Sequence, residues 1–501
     1  MARADVLSFE PWPGFRLGHL GLDDHGITLG RVGRRSTDDV LIDTADLRIS
    51  RSGVTITWSA SGDTPTWTLH LGRRVALSMP GSLDDPPERV TAAVVALRRG
   101  EALRPVARVR RTVVTTPLLQ TDAERDDAVL GEIGTITEID RSVLDGTRIV
   151  ARSRRMEVAA PAGILDALSS TLRVEVVRGR RRRSSDVIQE LRRAAGPLAF
   201  DPPEPVPPPL DEGSTVADVV RATLARAVNR WLAADPVVRL DVDIEGVHQA
   251  RVGMRTLRSD LRTFRDFLDD SALTDFADEV RWAAQALGAV RDLDVLRERL
   301  VASIADLDEA DRVTAESLVG ALDEERADAL RALHDALDSP RYLQLVEQAV
   351  SLAADPPLRP EADEAAADAL TRAALRSWRR LARSADAARP RGDVPIEELH
   401  ATRIRAKRFR YAAEAAGEVL PGALAHAKRV AAVQSVLGDL HDAAVLEQWL
   451  RDKHTAGAHD PFVVGQLVMY ERAAIAEIRR EWLQVWERAR RRRGRRWLKR
   501  D

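Results

Sequence analysis

The sequence predicts a chain of two unlike parts, an α+β domain over residues 1–200 followed by an all-α domain over 214–501. Three observations carry this. Short runs of alternating polarity dominate the first 200 residues. Helical periodicity replaces them after residue 213 and continues to the end. Between the two, Asp201–Leu210 (DPPEPVPPPL) packs six prolines into ten positions. That forbids a helix and most ladder bonding, so 201–213 is read as a stiff extended linker.

At 501 residues the chain exceeds what a single core accommodates. The apolar fraction of 44% suits a folded protein, and the net charge of −2 points to no partner class by itself. Only four of the 76 basic residues are lysines. The rest are arginines, whose planar fork suits phosphate or carboxylate oxygens. The absence of cysteine excludes disulfides, thiolate nucleophiles and cysteine metal sites. No uninterrupted apolar run approaches the ~18 residues of a membrane span, and the N-terminus lacks a signal peptide's apolar core. A cytoplasmic protein is expected.

In the first part, strands are expected at Val54–Trp58, Trp67–Leu71, Val106–Thr116 and Glu132–Val143, with helices near Glu88–Arg99 and Ala162–Leu172. In the second, the periodicity predicts helices over 214–234, 243–269, 272–301, 309–338, 341–354, 361–387, 394–419, 421–453 and 460–498. Asp235-Pro236, Ser339-Pro340, Asp355-Pro356-Pro357 and Asp460-Pro461 are read as the breaks between them.

The helical part repeats internally. The segment from His248 to Arg258 (HQARVGMRTLR) aligns with His400 to Arg410 (HATRIRAKRFR) at an offset of 152. Leu287–Leu296 (LGAVRDLDVL) aligns with Leu437–Leu446 (LGDLHDAAVL) at an offset of 150. Two motifs at nearly one offset predict a duplicated unit of about four helices, spanning about 214–338 and 361–501. Its basic helices should face each other across a pseudo-two-fold axis.

At about 100° per residue, His248, Arg251, Arg255, Arg258, Arg262 and Arg265 share one helical stripe. Met254, Leu257, Leu261, Phe264 and Leu268 form the neighbouring apolar seam. In the second copy His400, Arg403, Lys407 and Arg410 share a stripe with Tyr411 at its edge, beside an apolar side of Leu399, Ala406, Phe409, Ala413 and Leu420. Arg405 and Arg408 point elsewhere and are assigned to the surface. One cationic stripe is ordinarily a solvated face laced by i,i+4 ion pairs. Packing, however, does not require His and Arg to recur at matched positions, and aligned like charges are unfavourable until an anion neutralises them.

Neither His248 nor His400 has a Ser or Cys nucleophile arranged with it, and their stripe neighbours would repel a metal cation. Anion contact is the better reading; a core histidine satisfied by the backbone is the alternative. Arg291-Asp292 and His441-Asp442 follow Leu-Gly in both copies. The Gly is read as letting two helices approach, the basic residue as facing the centre, and the Asp as orienting a neighbouring Arg. Lys428 is a weaker candidate. The runs Arg178–Arg183 and Arg488–Arg500 are basic patches of low specificity, the second read as a solvated tail. The sequence contains no GxxxxGK[ST] loop and no HExxH motif. Aromatics that would stack bases are missing from the stripes apart from Tyr411, which favours a ligand without bases.

On these residues, VHQARVGMRTLRSDLRTF at 247–264, LGAVRDLDVL at 287–296, LHATRIRAKRFRYAAEA at 399–415 and QSVLGDLHDAAVL at 434–446, the helical part resembles the CHAD (conserved-histidine α-helical) domains. The resemblance implies two pseudo-symmetric four-helix bundles around a basic channel that binds inorganic polyphosphate. It assigns that role to His248, Arg251, Arg255, Arg258, Arg291, His400, Arg403, Lys407, Arg410 and His441. Fragments of the first part, WTLHL at 67–71 and RPVARVRRT at 104–112, resemble the CYTH family, a triphosphate-tunnel barrel. CYTH enzymes open on an ExExK strand that holds metal. Here Val6-Leu-Ser-Phe-Glu10-Pro-Trp has one carboxylate and no lysine. A degenerate, non-catalytic CYTH-like domain is expected, with Arg108, Arg110 and Arg111 retaining anion contact.

The expected function is binding of polyphosphate, bringing the protein to polyphosphate granules, with no catalytic residue, cofactor or metal. The alternatives are a CYTH-type triphosphatase or polyphosphate-processing enzyme, and nucleic-acid binding through the Arg-rich segments. No membrane and no sequence-specific nucleic-acid partner is expected.

Overall fold

The structure, a computed structural model, describes residues 6–172, 176–177 and 205–498, apart from positions 13, 61–63, 73, 123–127, 270–272, 390–393 and 458. The chain divides after Phe200 into two compact units.

The first unit is an antiparallel sheet. Its strands are β1 (Val6–Phe9), β2 (Ile27–Leu29), β3 (Gly33–Asp43), β4 (Val54–Ser59), β5 (Thr66–Leu71), β6 (Arg74–Pro80), β7 (Arg104–Asp122), β8 (Ala128–Asp145), β9 (Arg148–Ala159) and β10 (Val176–Val177). They run in the order β10-β1-β9-β8-β7-β3-β4-β5-β6, with β2 paired to β7. Among the described residues nothing joins β10 to β6, so the ladder is an open path. The short helices are α1 (Arg48–Arg51), α2 (Glu88–Ala93), α3 (Val95–Arg98) and α4 (Ala162–Leu172). Leu165 and Leu168 of α4 bury against Leu7, Phe9, Leu118, Ile136, Met156 and Val158 of the sheet, the alternate inward side chains that period-2 patterning selects. Glu10, the one carboxylate of the opening segment, is exposed just past β1.

The second unit is helical. Residues 205–210 form neither helix nor strand, as their four prolines require, and Asn229 Nδ2 donates to Pro205 O at 2.8 Å. The helices are α5 (Val216–Leu240), α6 (Ile244–Thr263), α7 (Thr274–Ala305), α8 (Glu309–Asp338), α9 (Pro340–Ala354), α10 (Ala366–Ala388), α11 (Ile396–Ala415), α12 (Ala423–Ala456) and α13 (Pro461–Ala489). The expected break at Asp235-Pro236 is not one: α5 continues through Pro236 to Leu240. A buried ion pair outweighs the amide hydrogen bond that proline removes. Asp235, fully buried, accepts from Arg239 Nε at 2.7 Å and from Tyr342 Oη at 2.6 Å.

The duplication is visible in the backbone. α6 and α11 are both 20 residues long and start 152 positions apart. The residues that precede α5 and α10, Thr215 and Ala365, are 150 apart and form an antiparallel bridge. There Val216 N donates to Glu364 O and Ala366 N to Ser214 O, each at 3.0 Å, a reciprocal pair of the kind a two-fold axis produces. Each half also has a fifth segment. α9 packs on α5, α7 and α8, and a 3-10 segment at Arg492–Leu498 packs on α10 and α12. The C-terminal basic run is therefore not a solvated tail, because Trp497 and Leu498 are buried. The Trp497 indole donates to His426 Nδ1 at 3.2 Å. The halves share one core, where Leu296, Leu300 and Leu318 of the first meet Leu446, Leu450 and Leu467 of the second.

In the first half α5 and α6 touch backbone to backbone. A Cβ added at Gly253 would lie 2.8 Å from Trp231 N and 2.9 Å from Ala227 O. Gly253→Ala should therefore force α5 and α6 apart. It is expected to cost about 1–3 kcal/mol in urea unfolding despite alanine's better helix propensity.

Candidate functional site

The two basic helices meet where the stripes predict. Met254, Leu257 and Leu261 of α6 are buried, as are Leu399, Ala406 and Phe409 of α11. Their packing fixes the rotation of both helices and turns the cations toward each other. Arg255 Nε donates to Tyr411 Oη at 2.6 Å, a bond between the two halves. The Arg410 guanidinium lies 4.6 Å from the centre of the same ring and that of Arg255 at 6.0 Å. Tyr411 is thus 5% exposed and engaged on both edge and face.

Arg251 Nη1 donates to Gly288 O at 2.9 Å and to Asp292 Oδ1 at 2.7 Å, so Asp292 does orient an arginine. The role of the glycine differs from the expectation. A Cβ at Gly288 would meet Arg251 Nη1 at 3.2 Å, and one at Gly438 would meet Arg403 Nη2 at 3.4 Å. In both halves the Leu-Gly pair makes room for a guanidinium rather than for a second helix. Asp442 and Asp439 lie in the field of Arg403.

Electrostatics show which cations share a neighbourhood. Burial, then the charges of Arg403, Arg255 and Arg251, pull the Lys407 ammonium down to about 7, with Asp442 opposing. Cations of both halves therefore converge on Lys407. His248 is lowered first by burial and then by Arg291, Arg255 and Arg230, against Glu245. Burial, Arg403 and Lys407 lower His400; burial, Arg403 and His400 lower His441. The rings of His400 and His441 are 4.7 Å apart. His400 Nδ1, Arg403 Nε and Arg410 Nε are buried and have no hydrogen-bond partner among the described residues. Buried polar atoms are seldom left so without a missing partner.

Not every candidate joins this centre. Arg258 has Arg281 and Arg262 as its cationic neighbours, with Asp278. Arg262 is exposed and lies beside Arg408. The stripe thus leaves the centre as α6 runs on. Arg265 is exposed on the short 3-10 turn after α6. Lys428 is exposed near the start of α12, and no contact among the described residues brings it to the cluster. Arg178–Arg183 fall outside the described residues. In the first unit Arg108 Nε and Arg110 Nη2 both approach Asp38, at 3.4 and 3.1 Å, so these two arginines already have a carboxylate.

Two contributors were missed. Arg230 of α5 donates to Gln249 Oε1 at 2.6 Å and acts on His248 and Glu414. Glu414, which pairs with Arg410 at 3.7 Å, is raised by burial against Arg410, Arg255 and Arg230. Buried Asp260 is raised well above the carboxylate range by burial and by Glu414. The position of Glu414, one turn past Arg410, was the available signal; Arg230 gave none.

Residues 222–451 match the model of the CHAD domain family. Uncharacterized proteins from two strains of Mycobacterium tuberculosis are 31% identical over 286 residues, 54% of this chain and 52% of theirs. The chain thus spans about half the length of the curated relatives it matches. Among solved structures, PptA from Streptomyces chartreusis is similar at TM-score 0.47 and 21% identity, covering 55% of this chain and 100% of that one. The CHAD domain from the plant Ricinus communis is similar at TM-score 0.48 and 24% identity, covering 60% and 97%. No helix of the described residues is long and apolar enough to cross a membrane.

The Lys407 shift predicts a pH-dependent stability. Its folded pKa lies below that of the unfolded chain, so the charged form opposes folding. Lys407→Met should raise the melting temperature of the ligand-free protein by about 2–4 °C at pH 7. The gain should be largest below pH 7 and vanish as pH rises toward 10; a constant gain across that range would contradict the shift.

Proposed function

With residues 222–451 a CHAD domain, we propose that the helical unit binds inorganic polyphosphate and brings the protein to polyphosphate granules without catalysing a reaction. The observation that carries this reading is the convergence on Lys407 of cations from both halves. Guanidiniums clamped as Arg251 is by Gly288 and Asp292 are pre-oriented, which lowers the ordering cost of a phosphate contact. The nitrogens of His400 and Arg403 that lack a hydrogen-bond partner among the described residues would donate to phosphate oxygens as charge-assisted bonds. Tyr411 supports a ligand without bases: its face and hydroxyl are already taken, so it cannot serve as a stacking platform. In the first unit the Asp38 pairing of Arg108 and Arg110 favours the helical unit as the anion's host.

Calorimetric titration of the full chain with long-chain polyphosphate should show binding that weakens steeply with salt. Arg255→Ala combined with Lys407→Ala should cost about 3–6 kcal/mol, from roughly 1.5–3 per charge-assisted contact. An unweakened double variant would remove the facing stripes as the site. The same mixture with Mg²⁺ should release no orthophosphate; turnover would favour the enzyme reading.

Affinity should also rise as pH falls from 9 to 6. Lys407 is half neutral near pH 7 when free, and the histidines titrate below their usual range. A polyanion raises all of these pKa values, so binding takes up protons. Equal affinities at pH 9 and 6 would exclude these groups from the contact.

A further inference from the structure

The two halves differ where α10 meets α11. The counterpart of Gly253, which lets α5 and α6 touch, is Arg405 at the offset of 152 shown by the two helices. There the helices leave an open cleft of about 610 Å³. Arg380, Arg383, Arg405 and Arg408 line it, with Ser384 and one carboxylate, Glu398. Arg405 Nη1 donates to Ser384 Oγ at 2.9 Å, and Ser384 Oγ lies 2.7 Å from Thr402 Oγ1. The floor is therefore held in place. Arg380, Arg383 and Arg408 are exposed, and no acidic partner within 4.0 Å of Arg380 or Arg408 is found among the described residues. The charged neighbours of Arg408 are Arg262, Arg405 and Arg380, all cations.

Arg262 connects this cleft with the centre. It neighbours Arg258 on its own helix and Arg408 across the interface. Cations thus continue from Arg255 along α6 through Arg258 and Arg262 and cross to Arg408, Arg405 and Arg380. The symmetry-related route is closed. At the same offset the counterpart of Arg262 is Glu414, that of Arg408 is Thr256 and that of Arg405 is Gly253.

We propose that the α10–α11 cleft is a second anion site, which takes the stretch of a polyphosphate chain that leaves the central cluster past Arg262, so that the bound chain exits on one side only. The proposal rests on the reading of the centre as a polyphosphate site. Its chemistry is that of condensed phosphate: repeated anionic oxygens, no bases, and a reach long enough to touch both clusters at once.

The test compares tripolyphosphate with a polyphosphate of about one hundred units on the full-length protein, over a series of salt concentrations. The combination Arg380→Gln with Arg408→Gln should weaken the long chain about tenfold or more. It should lower the magnitude of the salt slope by about one to two, and leave tripolyphosphate binding unchanged. Arg380→Lys with Arg408→Lys should restore most of the slope, which separates charge from packing. Arg408→Gln alone, at an exposed position, gives the same reading if the double variant unfolds. Long-chain affinity and slope equal to wild type would overturn the cleft site, as would loss of a separate tripolyphosphate event with long-chain binding intact. If those results come with loss of binding in the Arg255 and Lys407 variant, only this inference fails. If the wild-type protein does not bind the long chain, the reading of the centre fails with it.

Discussion

Two helices with facing cations repel each other, and much of the helical unit is arranged to hold α6 and α11 together against that repulsion. The seams beside the cations supply apolar burial, through Met254 and Leu257 on one side and Ala406 and Phe409 on the other. The Arg255–Tyr411 bond ties the stripes directly. At one end the reciprocal pairing of Thr215 with Ala365 locks the starts of the two halves. At the other, α7, α8, α12 and α13 share one apolar core, and buried Glu471 accepts from Arg299 Nε at 2.6 Å and Ser303 Oγ at 2.7 Å. Part of the cost of the arrangement falls on Lys407, whose ammonium is pulled down to about 7 by burial and by Arg403, Arg255 and Arg251.

The acids around the cluster fall into two groups. Asp292 is exposed and clamps Arg251 from the rim. Asp260 and Glu414 are raised by burial, and Glu414 further raises Asp260. Burial disfavours the charged form of both carboxyl groups, while Glu414 still pairs with Arg410 at 3.7 Å.

Much of this was legible in the sequence because helical azimuth is a local property. The steps of three and four between His248 and Arg262, and their recurrence from His400, identified the facing stripes before any packing was known. The strands of the first unit were legible for the same kind of reason: VTITW and WTLHL alternate with the period of a pleated, half-buried ladder and fall within β4 and β5. What a helical wheel cannot give is where two helices diverge, and so Arg258 and Arg262 counted with Arg255 although they face Arg281 and Arg408. Nor does local sequence reveal an occupant. Gly288 reads as a helix contact until Arg251, 37 positions earlier, is found against it. Pro236 and the tail near Trp497 failed for a related reason, since a buried partner distant in sequence, Tyr342 or His426, overrides the local rule.

The two copies also separate what the site needs from what it tolerates. His248 and His400, Arg251 and Arg403, Arg255 and Lys407, and Leu-Gly with its following Asp stand at matched places, and all lie at the centre. Gly253 against Arg405, Thr256 against Arg408 and Arg262 against Glu414 differ along the route that leaves it, while Ser259 against Tyr411 and Arg291 against His441 differ within it. A linear condensed phosphate is the same read from either end, so a centre with two-fold symmetry presents matched donors to the chain in both senses. No such demand applies beyond the centre. Once α5 and α6 close on Gly253 with no room for a side chain, the first half has no groove there to line with arginine. The asymmetry of the flanks therefore follows from helix packing, and the symmetry of the centre from the symmetry of the ligand it is proposed to hold.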